Sequence, residues 1–169
     1  MNKSYTCVTF GAFLAVMSGL AGVAQSQPST LVGAWRLISY ETRDATGRIG
    51  YPLGEHVTGQ LVYDARSHMS VQIMRDGRPA FVSNDFARGT DIETRAALEG
   101  YVAYFGTYTI DSAKHTVAHH VHGALFPNFV GGDQIRNYEF ENGRLVLSTP
   151  PILWLGEPQE FVLVWEPLP

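Results

Sequence analysis

"VAYFGTYTIDSAKHTVAHHVHGAL", residues 102–125, is two runs of strand-forming residues around a short polar link, Asp111-Ser112-Ala113-Lys114. Val, Tyr, Phe and Thr suit a pleated, half-buried surface, and a link this tight suits a hairpin turn. Neighbours along a strand face opposite sides. Tyr104, Gly106 and Tyr108 therefore share one face of the first run, and Phe105, Thr107 and Thr109 share the other. In the second run His119 keeps the apolar company of Val117, Val121 and Leu125, whereas His120 and His122 share a face with Thr116, Ala118 and Ala124. The stretch predicts an antiparallel hairpin, and with it an all-β protein.

The same pattern recurs on both sides. "GAWRLISYET" (33–42), "VTGQLVYD" (57–64), "SHMSVQIMR" (67–75), "DQIRNYEFE" (133–141), "RLVLSTP" (144–150) and "QEFVLVWE" (159–166) complete a set of eight strands with the hairpin's two. Asn142-Gly143 is the strongest turn signal among the links. "NDFARGTDIETRAALEGY" (84–101) differs: Thr90 or Asp91 can cap a short helix of Glu93, Arg95, Ala96, Ala97, Leu98 and Glu99, and Gly100 stops it. Eight antiparallel strands in one domain make a barrel or a sandwich, and consecutive short hairpins favour the up-and-down barrel. A barrel of that size holds packed side chains or one small ligand.

The first residues, "MNKSYTCVTFGAFLAVMSGLAGVAQSQPST" (1–30), have the layout of a secretory signal peptide: Lys3, an apolar run from Val8 to Val23, then small residues at cleavage spacing. Residues 1–24 are expected to leave, and 25–169 to form a single domain in the periplasm or outside the cell. Lys3 and the lone Cys7 leave with the signal, so a disulfide scaffold and a thiolate metal site are excluded. The remaining ten arginines and one lysine stand against 16 acidic residues, a net charge of −5, and form no basic stripe that would suit nucleic acid. No membrane span is expected in the mature chain.

"LVGAWRLISYE" (31–41), "GRIGYPLGEHVTGQLVYD" (47–64), "MSVQIMRDGRPAF" (69–81), "AALEGYVAYFGTYTID" (96–111), "HHVHGALFPNFVGGDQIR" (119–136) and "RLVLSTPP" (144–151) together resemble the lipocalin-like domain family, small bacterial and fungal barrels. The resemblance spans nearly all of the expected mature chain and implies a β-barrel with an internal cavity. Gly33-Ala34-Trp35 also resembles the Gly-x-Trp start of lipocalins, whose tryptophan closes the barrel floor and stacks on an arginine of the last strand. Here the last strand, "VLVWEPLP" (162–169), has no basic residue. A fold of this kind does not by itself name a chemistry.

Candidate ligand-binding residues are Tyr104, Tyr108, His119, His120, Asn128 and Arg136. Either His119 or His120 can face the interior, depending on which side of the strand is turned inward. His120-x-His122, with Glu139, Glu141 or His68, could in principle hold a metal ion, but no third ligand declares itself by spacing, and neither metal nor cofactor is expected. "LFPNFVGG" (125–132) is too apolar to lie wholly in water and is expected to fold over a barrel end, with Asn128 bonding the turn. Arg136 shares a face with Gln134, Tyr138 and Phe140, so it is expected inside, paired with Asp64, with Glu41 or with an anionic ligand. Gly106 is expected to leave room for a ring between two tyrosines. Glu55 and His56 fall in a loop at the barrel mouth.

The first functional expectation is an exported barrel that binds a small, partly apolar organic molecule. The alternative on the same scaffold is an isomerase, cyclase or lyase in which a pocket histidine moves a proton. A filled barrel with a structural or envelope role is the third possibility.

Overall fold

The computed structural model describes residues 30–169, so the segment expected to be a signal peptide lies outside the described residues. The elements in chain order are β1 (Gly33–Asp44), β2 (Ile49–Gly50), β3 (Val57–Tyr63), β4 (His68–Arg75), α1 (Asp91–Glu99), β5 (Tyr101–Asp111), β6 (Thr116–Ala124), a 3-10 turn (Pro127–Phe129), β7 (Asp133–Glu141), β8 (Arg144–Ser148), β9 (Ile152–Trp154) and β10 (Glu157–Pro167). Each of the eight long strands runs antiparallel to the next, and β1 closes on β10 from Trp35 opposite Pro167 to Asp44 opposite Gln159. The result is the closed, eight-stranded antiparallel barrel with one short helix that the strand pattern and the helix signals predict. Two short strands were not expected: β2 pairs with the far half of β1, and β9 with the near half of β10.

The two ends of the barrel differ. One carries tight turns, with Asn142 (φ 50°) and Gly143 (φ 80°) taking the left-handed conformations that a two-residue hairpin loop requires. In the turn before β4, the Asp64 carboxylate accepts from the Arg66 and His68 backbone N–H groups, both at 2.8 Å. At this floor Trp35 is buried, donates its indole N–H to the Leu31 carbonyl at 2.9 Å, and packs 6.2 Å from Phe140. The arginine of the lipocalin floor is thus replaced by a phenyl ring. Among the described residues the one cation–π pair is elsewhere, Arg78 over Tyr101. The last strand contributes Trp165 instead, buried opposite Leu37, with an indole N–H that has no partner among the described residues.

The other end, the mouth, carries the long connections. Thr90 caps α1 in a reciprocal box with Glu93, and Gly100 ends it, as the sequence predicts. No residue of α1 is buried, and Arg78 ties the helix to the barrel by donating to the Ala97 carbonyl at 3.3 Å.

Two bulges reset which side chains point inward. β1 carries an extra residue between Leu37 and Ser39 relative to β10, so Trp35 and Leu37 face in, and after the bulge Tyr40 and Thr42 do. β6 carries one between Val121 and Gly123 relative to β5. Ala124 consequently packs against the core, and Leu125 turns outward to 39% exposure instead of sharing the face of His119. The bulge also explains Gly106, where a Cβ would collide with the His120 carbonyl. That glycine admits the neighbouring backbone, not a ligand ring.

A candidate ligand site on the inner wall

His119 is the polar centre of the interior. Val117, His119 and Val121 alternate inward on β6, and all three are buried. Tyr63 of β3 meets His119 Nε2 at 2.6 Å, and Tyr104 of β5 meets Nδ1 at 3.0 Å. Both ring nitrogens are thus occupied by phenols. Burial, then the positive charge of Arg136 and that of His120, pushes the His119 pKa down to about 3. Burial likewise raises the Tyr40 and Tyr63 phenols far above their ordinary range, against a smaller opposing pull from Arg136. At neutral pH these three groups are therefore uncharged.

Arg136 lies on the inner face of β7 with Gln134, Tyr138 and Phe140, as expected, and all four are half-buried. It does not pair with either carboxylate considered for it. Asp64 is turned to His68 at 3.1 Å, and Glu41 lies 3.5 Å from Arg43. The guanidinium donates instead to the Ile135 carbonyl at 2.7 Å and to Gln134 Oε1 at 3.4 Å. It makes no ion pair among the described residues. The inner wall of β7 thus presents a solvent-reached cation beside a neutral histidine–phenol cluster.

The other candidates separate. Tyr108 faces inward, but its hydroxyl donates to the Asp64 carbonyl at 2.9 Å, which ties it to the floor turn. His120 takes the outer face, where Nδ1 meets Asp133 at 2.7 Å and Nε2 meets Thr109 at 3.1 Å. Asn128 is exposed, and the 3-10 turn is held by backbone bonds from Phe129 to Phe126 and Val130 to Pro127, both 3.1 Å, with no side-chain cap. The apolar loop does fold over the mouth: Phe129 packs on the core and stands edge-on to Tyr104, with ring centres 6.0 Å apart. Glu55 and His56 are exposed.

Among the described residues no group of three or more His, Cys, Asp or Glu is placed to hold a metal ion, and no helix is long and apolar enough to cross a membrane. A cleft of about 330 Å³ opens where β3 parts from β1, beside a groove of about 450 Å³ on the outer wall. Neither is lined by His119, Tyr104 or Arg136.

Tyr63 and Tyr40 were not singled out from the sequence. Tyr63 alternates with Leu61 as an ordinary core residue would, and its partner lies 56 positions away. Tyr40 was hidden by the β1 bulge, which changes the parity of the strand before it. Chemically, an imidazole bonded at both nitrogens and resistant to protonation is a poor base at neutral pH. The cluster is suited to holding a polar group in place.

Comparison with known proteins agrees with this architecture. A family model described as "Lipocalin-like domain" matches residues 32–167. A 4'-hydroxy-3'-methoxypropiophenone carrier protein of Aspergillus oryzae (strain ATCC 42149 / RIB 40) is 34% identical over 104 residues, 57% of this chain and 94% of that protein. No solved structure matches. The chain belongs to the lipocalin-like domain family.

Proposed function

From its place in the lipocalin-like domain family, we infer that this protein is a carrier that holds a small, partly apolar organic molecule within its barrel. One observation carries the reading: a largely apolar interior contains a hydrogen-bonded Tyr63–His119–Tyr104 cluster beside the half-buried Arg136. Such a wall, apolar with a few placed polar groups, is the make-up of small-molecule sites. The relative's name supplies the first class of ligand to try, aryl ketones that carry a phenol. Phe129 over Tyr104 would cover such a ligand at the mouth. The acid–base alternative is less well supported, because His119 has no nitrogen free to take a proton from a substrate.

The apolar opening of the chain supports export as part of the same reading, with Tyr104, His119 and Arg136 as the binding residues. Native mass spectrometry of protein taken undenatured from its host tests both parts. A stoichiometric organic adduct that is lost on denaturation, on a chain lacking about its first 24 residues, is the expected result. A bare mass, together with no calorimetric binding of 4'-hydroxy-3'-methoxypropiophenone, would overturn the carrier reading. A full-length chain recovered from the cytoplasm would overturn export.

A further inference from the structure

The hydrogen bonds around His119 have a direction. Tyr63 is 1% exposed, and its hydroxyl has one partner, His119 Nε2. A buried O–H without an acceptor is costly, so Tyr63 donates to Nε2. A neutral imidazole then carries its single hydrogen on Nδ1, and Nδ1–H donates to the Tyr104 hydroxyl oxygen. Tyr104 accepts in this chain, and its own hydrogen is left over. No acceptor for it is found among the described residues.

Tyr104 on β5 and Arg136 on β7 flank His119 on the intervening β6, all on the inner face. The guanidinium has no carboxylate, and Gln134 Oε1 is already its acceptor. The wall therefore offers an O–H donor without an acceptor and a cation held only by neutral oxygens. We propose that the carried molecule bears an anionic oxygen, a phenolate or a carboxylate, seated between the Arg136 guanidinium and the Tyr104 hydroxyl. An anionic ligand oxygen gives this half-buried cation a charge-assisted contact that the Ile135 carbonyl and the Gln134 amide do not supply. The inference rests on the carrier reading and specifies its ligand.

The test uses two matched pairs on the intact protein: 4'-hydroxy-3'-methoxypropiophenone with its 4'-methyl ether, and 3-phenylpropanoate with its methyl ester. Calorimetric titrations are run across the ionisation of the phenol. The anionic member of at least one pair is expected to bind about tenfold tighter than its neutral partner. If it is the acylphenol, its affinity should climb with pH while the ether's stays level. Discrimination in one pair alone identifies that anion as the class carried. Arg136→Gln should abolish the discrimination, and Tyr104→Phe should weaken the anion more than its neutral partner. Circular dichroism checks that both variants fold, and if Tyr104→Phe does not, the wild type and Arg136→Gln decide. Equal binding within both pairs would overturn the inference and leave the carrier standing. If none of the four probes binds, the inference falls, and with a bare native mass the carrier reading falls too.

Discussion

A histidine that is hydrogen-bonded at both nitrogens and buried at 1% exposure costs the fold something whenever acid is added. Its folded pKa of about 3 lies below the ordinary 6.5, so the unfolded chain binds the extra proton first. Stability from this group is complete above about pH 6.5 and falls as pH drops toward 3, at up to about 1.4 kcal/mol per pH unit. Urea unfolding between pH 7 and 4.5 should show this slope in the wild type and lose it in His119→Gln. An unchanged slope in the variant would place the acid sensitivity elsewhere. The inward choice of His119 was legible in part, because Val117 and Val121 accompany it on the strand. Its phenol partners were not, because they arrive from β3 and from the paired β5, and only closure of the wall brings them together.

Among the elements, strand positions were readable from β-branched and aromatic runs, and α1 from Thr90, Glu93 and Gly100. Bulges were not readable, since one inserted residue leaves composition unchanged while it reverses every later inward and outward assignment. Tyr40 and Ala124 came to the inner face that way. The short β2 and β9 escaped notice for a related reason: two or three residues are too few to show alternation. The β6 bulge makes a sharp prediction at Gly106. Because a Cβ there meets backbone, not a yielding side chain, Gly106→Ala should destabilise by about 2–3 kcal/mol, seen as a lower urea midpoint. A neutral outcome would mean that β6 can shift freely. The helix should behave differently. Thr90→Ala removes a cap worth about 1 kcal/mol, yet no residue of α1 is buried, so amide exchange across 91–99 should quicken while the global midpoint stays put.

At the level of the whole molecule, the wall is continuous because β10 lies between β8 and β1. A chain ended after Pro151 would leave both of those strands with open edges, a template for pairing with other copies. Such a truncation should elute as soluble oligomers or aggregate, and a monomeric product would argue against the closure. The same seam has a consequence in time. Arg36 and Glu166, which meet across it, stand 130 positions apart in the chain. Everything between them must be made before the ring can shut, and a search over that distance is slow, on the order of milliseconds to seconds. Until then the first strand waits without its last neighbour, so a newborn chain passes through an interval in which it can still be captured, threaded or lost.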